Sequence, residues 1–129
     1  MARAPAITEA EWHLMKRLWD AEGQWLMAGE IVEPVARERK IHHRTARTLL
    51  SRLVKKGAVE TRPDDFGNRY RAKVGRDAVA RAESRSFLSR VFDGKAAPAL
   101  VHLLQESHDQ LSAGEIAELR KLLEREEKP

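Results

Sequence analysis

The chain has 129 residues, 42% of them hydrophobic and 34% charged, with a net charge of +4; that fits one compact domain, or one small domain with an appendage, and is too little for a two-domain enzyme of ordinary size. The absence of cysteine excludes a disulfide framework, thiolate metal sites, iron–sulfur clusters and a cysteine nucleophile. No apolar run of about 18 residues is present to span a bilayer, and Met1 to Ala6 lack the apolar stretch of a signal peptide, so a cytoplasmic protein with no membrane partner is expected.

Charge is unevenly placed. Residues 37–76 hold thirteen Lys/Arg against four Asp/Glu, a net +9, whereas residues 1–36 and 105–129 each carry a net −3. The basicity is therefore a patch between acidic flanks, the electrostatic footprint of a polyanion partner.

Taken in chain order, Thr8 and Glu11 form a capping box, with Ile7 placed to staple onto Trp12. A helix is expected from there, its buried stripe made by Trp12, Met15, Leu18 and Trp19, with Gly23 following its end. A second helix is expected over Ala28 to about Arg39 with Ile31, Val32 and Val35 inward, kinked or delayed by Pro34. The third, from about His43 to Lys56, has the clearest period: Ala46, Leu49, Leu50, Leu53 and Val54 share one face. Arg44, Thr48, Ser51 and Lys55 then lie opposite, flanked by Thr45, Arg47 and Arg52, and Gly57 ends the helix.

From Ala58 the period changes to two. Val59 to Arg62 and Asn68 to Ala72 are strand candidates joined by a turn-rich connection, Pro63 to Gly67. Alternation puts Arg69 and Arg71 on one face, with Tyr70 and Ala72 toward the helices. Beyond Gly75 a helix capped by Asp77 is expected to run to Gly94, a short one to open at Pro98, and a last one to open on the Ser112/Glu115 capping box.

Three helices followed by a hairpin, with a basic outer face on the third, is the order of a winged helix-turn-helix. The fold class expected is thus mainly α with a small β-hairpin wing: a winged helix over residues 1–76, then a helical region over 77–129. A helix fits the major groove of double-stranded DNA and its N-terminal side chains reach base edges. Arg44 and Arg47 suit bidentate bonds to guanine, and Thr45, Thr48 and Ser51 offer short hydroxyls or a methyl. His43, at the helix start, is a phosphate candidate.

These residues also carry a resemblance. Thr8-Glu9-Ala10-Glu11-Trp12, Leu18-Trp19, the stretch His42 to Gly57 with its Thr-x-x-Thr-Leu-Leu-x-Arg-Leu-x-x-Lys-Gly pattern, and Tyr70 and Val74 together resemble the penicillinase repressor family. The resemblance implies a homodimer that represses transcription from an inverted-repeat operator. By position it makes Arg44, Thr45, Arg47 and Thr48 the groove readers and Arg52, Lys55, Arg69 and Arg71 phosphate contacts. The dimer would form through Phe87, Leu88, Val91 and Phe92, then Leu100, Leu103 and Leu104, then Ile116, Leu119, Leu122 and Leu123, stripes too apolar for three short helices to bury alone. Two departures stand out: where antibiotic-responsive members are cut at an Asn-Phe bond this chain has Leu103-Leu104, and the Cys-x-Cys motif of copper-responsive members is absent.

Two other classes compete. A metal- or ligand-responsive sensor would place its effector site in the helical region, where His102 and His108 stand; the adjacent His42 and His43 point about 100° apart on a helix and do not make a ligand pair. A winged helix serving only protein contacts would have no use for the +9 segment. No Gly-rich phosphate loop, His-Glu-x-x-His or Ser-centred elbow is present, and the carboxylate pairs Glu9/Glu11, Asp64/Asp65 and Glu126/Glu127 read as caps, a turn and a solvated tail. An enzyme is not expected, nor is a metal or a cofactor.

Overall fold

A computed structural model describes residues 4–128. Helix α1 (Glu9–Asp20) opens on the full capping box: Glu11 N–H donates to Thr8 Oγ1 (3.2 Å) and Thr8 N–H to the Glu11 carboxylate (2.9 Å). Its buried set is wider than the expected stripe. Leu14 joins Met15 and Leu18, while Trp12 and Trp19 are half-buried and meet edge to face at 5.2 Å. The reason is that α1 is covered from more than one side, by the second and third helices and by the sheet.

Two residues, Leu26–Met27, form β1, a strand too short for any alternation to announce. Helix α2 (Ala28–Arg39) follows at once and is not delayed by Pro34, which sits within it. Ile31, Val32 and Val35 are buried as expected, with Ala36 beside them. The helix closes at Lys40, held in the left-handed region at φ 54°, with Ile41 N–H reaching back to Ala36 O (3.0 Å).

Helix α3 (His43–Lys55) buries Ala46, Leu49, Leu50 and Leu53; Val54 is half-buried. Gly57 (φ 81°) ends it in a Schellman turn, in which Ala58 N–H donates to Leu53 O (3.0 Å) and Gly57 N–H to Val54 O (3.1 Å). The wing is longer than expected: β2 (Val59–Asp64) and β3 (Gly67–Ala72) leave only Asp65 and Phe66 as the turn. Pro63 is tolerated inside β2 because the sheet order β1-β3-β2 makes β2 an edge strand, where a missing N–H costs no ladder bond. Strand β3 is antiparallel to both neighbours, with Thr61 opposite Tyr70 and Glu60 opposite Arg71.

The chain divides into two compact units, one extending to Ser86 and the other from Phe87. In the first, a single apolar cluster joins α1, α2, α3, Val59 of β2 and Val79 of α4 (Arg76–Phe92), each fully buried Leu or Ile contributing about 1.5–3 kcal/mol. The expected boundary at 76/77 falls on the first turn of α4. Asp77 lies in that first turn and is not its cap: the Gly75 carbonyl, one residue before the helix, already accepts from Val79 N–H (3.2 Å).

The second unit contains the end of α4, α5 (Ala96–Glu106) and α6 (Ala113–Glu127). Helix α5 starts two residues ahead of Pro98, which occupies the third helical position, where its lacking N–H has no intrahelical acceptor to miss. Helix α6 opens on the expected box, Glu115 N–H donating to Ser112 Oγ (3.1 Å) and Ser112 N–H to the Glu115 carboxylate (2.8 Å). Among the described residues no helix is long and apolar enough to cross a membrane.

Candidate nucleic-acid interface

Every side chain expected on the outer face of α3 is exposed: Arg44, Thr45, Arg47, Thr48, Ser51, Arg52 and Lys55, with His43 at the entrance. The helix carries no acidic residue. Among the described residues Arg44, Arg47, Arg52 and Lys55 form no ion pair, so their charge is unspent. Arg44, Thr48, Ser51 and Lys55 fall four, three and four residues apart and make one stripe about 16 Å long at ~1.5 Å per residue.

The entrance to the helix is built by a histidine. His42 Nδ1 accepts from Arg44 N–H (3.0 Å), satisfying one of the free donors of the first turn in the way a Ser or Asp cap does. Its ring lies 4.3 Å from that of His43. One turn on, Thr48 Oγ1 donates to Arg44 O (3.1 Å), which commits the hydroxyl proton and leaves the hydroxyl oxygen able only to accept.

The far end of α3 is anchored by a pair distant in sequence, one member of which, Glu11, also serves the capping box of α1. Lys56 donates to the Glu11 carboxylate and to Ala6 O (3.0 Å). Glu11 is only 1% exposed. Burial pushes its carboxyl up, but the Lys56 ammonium and the Thr8 bonds outweigh that and hold it below its ordinary value. Lys55 and Lys56, adjacent in sequence, thus divide their roles: one faces solvent and the other fixes α3 to α1. The signal was Glu11 itself, a capping residue one position before the Trp of a buried stripe.

The wing is tied to the helices by Trp19, whose Nε1–H donates to Val74 O (2.9 Å). On its outward face Arg69 is paired with Asp64 and Arg71 with Glu60. The Phe66 N–H and the Arg69 guanidinium hold the Asp64 carboxyl below its usual range. The two wing arginines expected to meet phosphate therefore each already hold a carboxylate, Arg71 doing so across the ladder from Glu60 and Arg69 along its own hairpin.

In the second unit, Phe87, Val91, Leu100, Leu103, Leu104, Ile116, Leu122 and Leu123 are exposed, Leu122 by 55%, and Val101 with them. Leu88, Phe92 and Leu119 are half-buried. Phe92 packs between Phe87 (5.7 Å) and His102 (5.4 Å), and His108 pairs with Asp109 (3.0 Å). Among the described residues no three His, Asp or Glu side chains gather as a metal-binding group.

The methicillin resistance regulatory protein MecI of Mammaliicoccus sciuri is 29% identical over 117 residues, covering 91% of this chain and 92% of its own. The penicillinase repressor of Bacillus licheniformis is 29% identical over 124 residues, covering 96% and 94%. The solution structure of the Bacillus licheniformis BlaI monomeric form in complex with the blaP half-operator shares the fold at a TM-score of 0.51 and 24% identity, covering 60% of this chain and 93% of that one. Residues 7–125 match the penicillinase repressor family along almost the whole chain, and the protein belongs to that family of repressors.

Proposed function

We propose that the protein is a homodimeric transcriptional repressor that reads an inverted-repeat operator, one half-site per α3. The observation that carries this is the outer face of α3, exposed, free of acid and with four cations that form no ion pair among the described residues. In this reading Arg44 and Arg47 fork onto guanine edges, while Thr45, Thr48 and Ser51 meet bases through hydroxyl or methyl. His43, Arg52 and Lys55 hold phosphates; Arg69 and Arg71 join them by exchanging a carboxylate for a phosphate. The exposed apolar side chains of α4, α5 and α6 form the dimer contact, since two-fold pairing buries them and spaces two reading helices for a repeat.

The test is a salt titration of the labelled duplex that footprinting locates upstream of the chain's own gene. Phosphate contacts release counterions, so a dimer holding six to ten phosphates loses roughly 10³ to 10⁵ in affinity between about 50 and 200 mM salt. A nearly flat line would refute DNA as the partner of this face.

A further inference from the structure

The outward face of the wing holds one arginine that makes no direct ion pair among the described residues, although the Asp64 carboxylate, bonded to Arg69, also feels its charge. Residues 60, 62, 64, 69 and 71 share that face, because alternation sends Val59, Tyr70 and Ala72 toward the core, with Thr61 on that same side but exposed. Arg69 is matched by Asp64 and Arg71 by Glu60. Arg62, exposed and opposite Arg69 in the ladder, has no carboxylate within ion-pair distance among the described residues. Its Cζ instead lies 4.3 Å from the centroid of the Trp25 ring, just ahead of β1, and the Arg71 Cζ lies 4.4 Å from the same centroid. One indole thus gathers two guanidinium groups, of which only Arg71 holds a carboxylate directly.

We propose that Arg62 grips a phosphate of the DNA backbone flanking the half-site read by α3, with Trp25 as its positioning residue; this rests on the reading of α3 given above. A guanidinium held against an aromatic ring keeps its edge N–H groups free, and that planar fork matches two phosphate oxygens. Holding it in place also lowers the rotamer entropy lost when the phosphate arrives, which a free surface arginine would forfeit in full. The location fits the backbone rather than the bases. Strand β2 follows α3 after only Lys56, Gly57 and Ala58 and contacts it, which keeps the wing beside the reading helix, and the face carries one more cation than carboxylate. The contact is independent of sequence, so it adds affinity without adding specificity.

The experiment uses the full chain and a duplex selected by it from random sequence, in two lengths: one ending at the edge of the repeat, the other extended on each side by one helical turn, about 10 base pairs. Arg62→Gln should lower affinity for the extended duplex several-fold, reduce its log-log salt slope by about one per protomer, and leave the trimmed duplex nearly unaffected. Arg62→Lys, which keeps the charge but not the stacked fork, should restore the slope and only part of the affinity. Trp25→Leu should weaken the extended duplex in the wild-type background and cost nothing further beside Arg62→Gln, whereas a merely structural tryptophan would cost the same in both. An Arg62→Gln chain that matches the wild type in affinity and slope overturns the wing contact alone; so does an equal loss on both duplexes. A wild-type chain that selects no duplex overturns the reading of α3 and the wing contact with it.

Discussion

Arg17 of α1 donates its Nε–H to the carbonyl of Glu30 in α2 (3.1 Å), the acceptor that Pro34, four residues on and without an N–H, cannot reach. A proline inside a helix costs one backbone bond and crowds the carbonyl before it. Here the vacated carbonyl is taken by a neighbouring helix, so the defect becomes a cross-link between α1 and α2. The expected consequence is a coupling. Arg17→Ala should cost about 0.5–1 kcal/mol in the wild-type chain and close to nothing beside Pro34→Ala, where the new alanine's own N–H takes the carbonyl. Pro34→Ala alone should be stabilising by ~1 kcal/mol, the regained bond outweighing the freer unfolded chain. Urea unfolding of the two single variants and the double variant measures it; equal costs of Arg17→Ala in both backgrounds would remove the coupling.

The Glu11–Lys56 pair predicts an asymmetry. Lys56→Ala leaves a carboxylate buried with only the Thr8 bonds to hold it, at a cost of about 3 kcal/mol, the lower end for a broken buried pair because Lys56 keeps some exposure. Glu11→Gln leaves an ammonium that can turn to water and keep Ala6 O, and should cost about 1 kcal/mol. The pair also sets a pH dependence. Because the folded Glu11 carboxyl titrates below its unfolded value, its contribution is whole above the ordinary carboxylate range and is lost as pH falls through the folded value. Unfolding midpoints between neutral and acidic pH should fall more steeply for the wild type than for Glu11→Gln.

Much of this arrangement could be read from the chain because local chemistry and tertiary packing agree there. The Thr8/Glu11 and Ser112/Glu115 boxes, the apolar face of α3 and the Gly57 stop all follow from interactions within a few residues. What escaped is set by partners distant in sequence. Glu11 is buried because Lys56 lies 45 residues away; β1 exists because Leu26 and Met27 find Tyr70 and Arg69; Arg62 is distinguished only because Arg69 and Arg71 of β3 take up the carboxylates on either side of it in β2, Asp64 and Glu60, while Trp25 meets its own guanidinium. The same holds for Pro34, whose lost bond is answered from another helix. The exposed face of α3 needs no such partner, which is why its residues follow as surface residues from spacing alone.

Reading and anchoring should separate on that face. Arg44→Ala or Arg47→Ala should cost about 1–3 kcal/mol on the operator and narrow its margin over random duplex, since the fork to guanine is lost. Lys55→Ala should weaken both duplexes alike and lower the salt slope by about one per protomer. Competition binding at fixed salt decides between them: an unchanged specificity ratio for Arg44→Ala and Arg47→Ala would place other side chains on the bases.

The last prediction concerns the boundary between the two units. Val79 is fully buried in the same cluster as α1, α2 and α3, so a fragment ending at Arg76 removes a core side chain as well as the rest of α4. Losing such a contact commonly costs a few kcal/mol, a large part of the stability of a small domain. A fragment ending at Ser86 keeps Val79 and should unfold cooperatively at a clearly higher urea midpoint than one ending at Arg76. It also lacks the exposed leucines of α5 and α6, so it should sediment as a monomer, and each half-site must then be held separately. Losing the linkage commonly lowers avidity by about 10² to 10⁴. The full chain carrying Leu103→Glu and Leu122→Glu should behave likewise, because both positions are about half exposed (51% and 55%) and a buried unpaired charge there opposes association. A fragment to Ser86 that still dimerises, or that binds the complete operator as tightly as the full chain, would move the subunit contact into the winged unit.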